Sequence, residues 1–220
     1  MKVAIFGCSW THGVGKIENY LNWPNYLAKM YPTVTFNNYA LSSSSILFQV
    51  YLLQYVKKHD PADIYIFQIT RPERLTYWND KINLSKHLVP IYKNYNQFGR
   101  TIYNYVQACS PHMVHQKPDL TMTRGSIELS KKYYRLINDA AFDLEWKLAI
   151  EHVKQNVDFC FLQTEGADRN VLDIPCIEDI LTIEKCREWW MDGSHFGPVG
   201  LEWVANWVNE QIKDKINAKL

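Results

Sequence analysis

Val3-Ala4-Ile5-Phe6-Gly7-Cys8-Ser9-Trp10-Thr11-His12-Gly13 decides how this chain folds. Four apolar residues without polar alternation read as a short strand buried on both faces, as central parallel strands are. Gly7 and Gly13 then bracket a turn in which Ser9 follows directly on the strand end. Ligands of open parallel sheets bind outside the carboxyl ends of the strands, so Ser9 stands where chemistry is expected. The competing duty for a serine at such a turn is to cap the segment that follows.

Outward from this stretch, strand and helix patterns alternate, which predicts a parallel sheet sandwiched by helices. Residues 2–7, 33–39, 63–69 and 157–162 read as strands, the last two as largely apolar runs. Helical spacing is expected over 19–30 with an interruption near Pro24, and over Ile46 to Lys58 behind the serines at 42–45, which offer N-caps. A long helix is expected over 126–155, with Ile127, Tyr134, Ile137, Ala141, Leu144, Leu148 and Val153 as its apolar positions. A last helix over 198–216 carries Pro198 in its first turn and a stripe of Leu201, Val204, Ala205, Val208, Ile212 and Ile216. Residues 71–125 contain four prolines and no clean periodicity, and read as an insertion with short helices laid over one end of the sheet. With no repeat or linker, residues 1–220 form one domain.

Composition narrows the classes of function. The 220 residues carry a formal net charge of +1, so no field of one sign draws the chain to nucleic acid or to an acidic membrane. The five cysteines, Cys8, Cys109, Cys160, Cys176 and Cys186, form no C-x-x-C pair, which argues against a disulfide framework and a zinc site. No stretch approaches the length of a membrane span or of a signal peptide. A reduced, cytoplasmic protein without metal or cofactor is expected. Gly13-Val14-Gly15-Lys16 hints at a phosphate loop, but Trp10 and Ile17 stand at two of its four fixed positions.

At the far end lies Asp192-Gly193-Ser194-His195, then Phe196-Gly197-Pro198-Val199-Gly200 and the final helix. Serine at one end and Asp-x-x-His at the other are the parts of a nucleophile–base–orienter triad. Together the two stretches resemble the blocks of the SGNH, or GDSL-type, hydrolases. The first block, Gly-Asp-Ser-x-Thr-x-Gly, is matched by Gly7, Ser9, Thr11 and Gly13; the last, Asp-x-x-His before a Pro or Gly turn, by Asp192, His195, Pro198 and Gly200.

The resemblance implies a three-layer α/β/α fold of flavodoxin type over nearly the whole chain. It also implies esterase chemistry, with Ser9 as nucleophile, His195 as general base and acid, and Asp192 as its orienter. The oxyanion is expected to be held by the N–H groups of Ser9 and Ser43, with Thr70 as a third donor. Trp10, His12 and Arg74 are candidate substrate contacts, although an exposed loop residue is the plainer reading of His12 and a surface ion pair that of Arg74.

The sequence departs from the family pattern at three places. Cys8 replaces the aspartate of the first block, and as a thiol at the end of a buried strand it is expected to pack inward. Ser43 stands where a glycine supplies its N–H, and Thr70 where an asparagine amide donates. The expected partner is a small acyl ester, acetyl or similar, on a small molecule or a carbohydrate. Two alternatives stay open: a binding protein of this fold that has lost turnover, and an O-acyltransferase.

Overall fold

β1 (Lys2–Phe6) lies between two parallel neighbours, β2 (Thr35–Asn38) and β3 (Ile64–Ile69), and β6 (Phe159–Leu162) extends the sheet beyond β3. The computed structural model describes residues 1–13, 22–40, 44–70, 75–78, 105–108, 139–162, 173–190 and 195–220. The order β2-β1-β3-β6 reverses direction between β1 and β3, the switch point of a flavodoxin-like sheet. Ser9 and Thr70 follow the two strands that flank it.

The pleat sorts side chains into two cores. Val3 and Ile5 of β1 join Ile64 and Ile66 of β3 on one face, against α2 (Trp23–Met30) and α7 (Pro198–Asn217). Ala4 and Phe6 join Phe67 and Ile69 on the other, against α3 (Ile46–His59) and α4 (Asp139–Asn156). This is the three-layer α/β/α arrangement of the SGNH hydrolase fold, and it follows from the period of two along strands that are apolar on both faces.

Several elements depart from the expected boundaries, each for a local reason. Pro24 does not interrupt its helix. It sits in the first turn of α2, where a missing N–H costs nothing, and Asn22 caps that turn by accepting from the Asn25 N–H at 2.9 Å. Ser45 caps α3 by accepting from the Phe48 N–H. Among the described side chains of α4 the buried ones are Trp146, Ala149, Ile150 and Val153, whereas Leu144 and Leu148 are 60% and 63% exposed. The apolar stripe was therefore misplaced at those two leucines, and Trp146, which the spacing argument passed over, anchors the helix. Residues 126–138 lie outside the described ones.

Within the expected insertion, β4 (Leu75–Trp78) and β5 (Tyr105–Ala108) pair antiparallel, where the sequence suggested short helices; the remainder of 71–125 lies outside the described residues. Two short helices, α5 (Ile177–Ile180) and α6 (Ile183–Trp189), precede the last turn and were not foreseen. No helix among the described residues is long and apolar enough to cross a membrane.

Leu53 on α3 and Ile212 on α7 are fully buried in opposite layers. Replacing either with alanine should cost about 2–5 kcal/mol of stability, measured as a shift of the urea midpoint at constant slope.

Candidate active site

The ladder of β1 ends at Phe6, and two residues later the chain enters α1 (Ser9–His12). This single turn closes with Gly13 in the left-handed region at φ 87°, its N–H bonded to the Ser9 carbonyl at 2.9 Å. Ser9 is the first helical residue and not the cap; Cys8 holds the cap position and makes no side-chain cap bond. The Ser9 hydroxyl is turned elsewhere. Its Oγ lies 3.0 Å from Nε2 of His195, across 186 residues of sequence.

His195 is held by its neighbours on both sides. Trp190 and Phe196 form an antiparallel bridge, and the Gly197 N–H donates to the Trp189 carbonyl at 2.7 Å. His195 directly precedes Phe196, where the bridge closes. Phe196 is buried, with its ring 4.5 Å from Trp10 and 6.2 Å from Trp189 between centroids. Trp10 also stands 6.3 Å from the His195 ring. One aromatic cluster thus binds the helix that carries Ser9 to the segment that carries His195, and an aromatic contact of this kind adds about 0.5–1.5 kcal/mol beyond burial.

Thr70 directly follows β3 and is 2% exposed. Its carbonyl accepts from the Trp146 indole at 2.6 Å, while its Oγ1 has no hydrogen-bond partner among the described residues. A buried hydroxyl without a partner costs about 1–3 kcal/mol, so it calls for an explanation.

His12 is not an exposed loop residue. It occupies the last turn of α1, is partly buried, and its Nδ1 lies 2.9 Å from the Ala40 carbonyl, so Nδ1 carries the proton and donates it. Around it, the Asn38 amide donates to the Thr11 carbonyl at 2.7 Å and accepts from the Ala40 N–H at 3.0 Å. Cys8 does pack inward, 2% exposed. Cys160 is partly buried, and burial pushes its thiol up to about 11, so it is protonated near neutral pH. Asp192, Ser43 and Arg74 lie outside the described residues. The structure therefore brings together Ser9, His195 and Trp10, and leaves His12 as a brace between α1 and the chain beyond β2.

Sequence reasoning missed the buried amides beneath Ser9. Gln49 and Gln68, 0% and 2% exposed, sit inside otherwise apolar runs on α3 and β3. A glutamine in such a run was the available signal, because a buried amide must be hydrogen-bonded.

Among solved structures, the psychrotrophic esterase EstA from a Pseudoalteromonas species is similar over 98% of each chain, with a TM-score of 0.50 and 8% identity. The SGNH-hydrolase family esterase AlinE4 matches all of this chain and 96% of its own, with a TM-score of 0.40 and 10% identity. An acetylxylan esterase from Geobacillus stearothermophilus matches 96% and 93%, with a TM-score of 0.42 and 12% identity. No family model matches the sequence, and no curated protein matches it either. At such identities likeness reads the course of the backbone and not the chemistry. The chain has the SGNH hydrolase fold.

Burial holds the pKa of His12 below its ordinary value, the hydrogen bond to Ala40 opposing it less strongly. The folded state thus keeps this imidazole neutral where the unfolded chain would protonate it. That contribution to stability is present above pH ~6.5, the ordinary histidine value, and is lost as pH falls through the lower folded value. Urea titrations from pH 7.5 to 5 should show wild type losing more stability than His12→Asn, whose amide can still donate to Ala40.

Proposed function

We propose that this chain is a serine esterase that removes a small acyl group, acetyl or similar, through an acyl-enzyme. The observation that carries the reading is the 3.0 Å contact of Ser9 Oγ with His195 Nε2 at the sheet's switch point. A serine hydroxyl is a weak nucleophile until a base within hydrogen-bond reach takes its proton.

In the first half-reaction Nε2 of His195 accepts the Ser9 proton as Oγ bonds to the ester carbonyl carbon. The tetrahedral intermediate collapses as His195 returns that proton to the departing alkoxide. Water then repeats the sequence on the acyl-enzyme and frees the acid and Ser9. For Nε2 to accept, the other ring nitrogen must carry the proton. Asp192, three residues earlier, is our assignment for the carboxylate that holds this tautomer and stabilises the imidazolium.

We assign the oxyanion to the backbone N–H groups of Ser9 and Ser43 and to the hydroxyl of Thr70. The unpartnered Oγ1 of Thr70 supports this part of the reading, because its donor would be satisfied as charge develops on the substrate. Trp10, whose ring lies 6.3 Å from that of His195, suits the face of a sugar ring, which favours an acylated carbohydrate; Arg74 is the other proposed substrate contact, and His12 is left as a brace. Cys8, Cys160, Cys176 and Cys186 are not joined in disulfides, in keeping with a reducing compartment, and the cytoplasm is our assignment.

A fluorophosphonate probe should label wild type once by intact mass and leave Ser9→Ala unlabelled. Turnover of p-nitrophenyl acetate should fall by at least 10³-fold in that variant. A folded wild type that neither labels nor turns over would overturn the esterase and leave a binding protein of this fold. Thr70→Val separates catalysis from folding. It should lower kcat about 10²-fold, as loss of an oxyanion donor does, while melting no earlier than wild type, because it removes an unpaired buried hydroxyl.

A further inference from the structure

Gly7 and Cys8 leave the β1 ladder before α1 begins, so two buried backbone N–H groups in succession need acceptors. Both are taken by side-chain amides. The Gly7 N–H donates to Oε1 of Gln49 and the Cys8 N–H to Oε1 of Gln68, each at 3.2 Å. The same Gln68 oxygen accepts from the Thr11 hydroxyl at 2.8 Å, and Thr11 Oγ1 in turn accepts from the Trp23 indole at 3.1 Å. Gln68 Nε2 faces Cys8 Sγ at 3.4 Å. Gln49 Nε2 donates to Ser44 Oγ at 3.0 Å, and Ser44 Oγ donates to the Gly7 carbonyl at 3.2 Å. Both backbone groups of Gly7 are thus bound into one ring with Gln49 and Ser44.

We propose that Gln68 and Gln49 are positioning residues for Ser9, two buried amides that stand in for the missing ladder partners and set the direction in which the hydroxyl meets His195. The inference rests on the esterase reading for its kinetics, but not for its geometry. Three features carry it. Gln49, Gln68, Ser44 and Thr11 are all 2% exposed or less, so water offers no substitute for a broken bond. The amides grip the two residues immediately before Ser9, while Thr11 grips the same helical turn two residues after it, so both sides of the nucleophile are held from β3. And the fit leaves no slack: a Cβ on Gly7 would come within 2.6 Å of Thr11 Oγ1 and 2.8 Å of Gln68 Oε1. Ser44 carries the brace onto the chain just ahead of α3. Displacing a reacting atom by about 1 Å can cost on the order of 10²-fold in rate.

The test compares wild type, Gln68→Met, Gln68→Asn and Thr11→Val by p-nitrophenyl acetate kinetics and by crystal structures. Ile212→Ala, in the opposite layer, serves as a destabilised control remote from Gln49 and Gln68. Gln68→Met should lower kcat at least tenfold with KM changed less than twofold, and lengthen the Ser9–His195 distance beyond 3.5 Å. Ile212→Ala should keep the wild-type kcat. Thr11→Val, which loses one donor to Gln68, should fall between wild type and Gln68→Met, and Gln68→Asn, one methylene short, should replace Gln68→Met if that variant does not fold.

A Gln68 variant that keeps Ser9 Oγ at 3.0 Å from His195 overturns the proposal whatever its kcat, and so does a wild-type kcat at a Ser9–His195 distance beyond 3.5 Å. If wild type itself turns nothing over, the esterase reading fails, and the Ser9–His195 distance alone decides whether the amides position Ser9.

Discussion

Parallel pairing of β1 with strands on both sides is the constraint on which everything else here rests. It makes Val3 to Phe6 of that strand apolar, because both faces are covered there, and it brings the carboxyl ends of β1 and β3 side by side. A strand that ends in such a place cannot end quietly. Its last N–H groups are too deep for water, so buried side chains must supply their acceptors. Site and fold thus share one origin, the requirement that a parallel ladder stop somewhere inside the protein.

The polar groups packed behind Ser9 are bonded to one another, while aromatic rings gather beside His195. Gln49, Gln68, Ser44 and Thr11 make a small hydrophilic island within the α3–β3–α1 junction, with Phe67 and Ile69 of β3 on either side in sequence. On the other side, Trp10, Phe196 and Trp189 pack around the histidine-bearing segment, which the Trp190–Phe196 bridge and the Gly197 N–H bond to the Trp189 carbonyl also hold. Buried side-chain amides hold the turn of the serine, and backbone bonds with aromatic packing hold the segment of the histidine.

The amino-acid sequence made the architecture legible because buried parallel strands and amphipathic helices carry their periods openly. The alternation of elements and the apolar stripe of α7 both stand in the structure, from Val204 to Ile216. Leu144 and Leu148 misled, since helical spacing alone does not say which of two possible faces looks inward, and Trp146 decides that through packing far from its own helix. Pro24 misled because a proline that breaks a helix and one that opens it differ only in what precedes them. Ser9 and His195 could be paired only through the resemblance of their two stretches to the blocks of a family, since nothing in 186 residues of spacing by itself predicts a 3.0 Å contact. The amides were illegible for a deeper reason: a glutamine's meaning depends on which backbone groups the fold leaves without partners.

The docking of α7 against the N-terminal half has a consequence for the life of the chain. Tyr31 donates to Asn209 at 2.5 Å, Lys219 reaches the Asp63 carbonyl, and Val204, Val208 and Ile212 close the layer begun by Trp23 and Leu27. During synthesis at about 5–20 residues per second, the serine emerges first and waits roughly ten seconds or more for the segment bearing its histidine. Until the final helix has left the ribosome and settled onto the sheet, an apolar face stands open and Ser9 and His195 belong to separate parts of an unfinished molecule. Such long closures are slow in folding, so the two side chains meet only as that layer is completed.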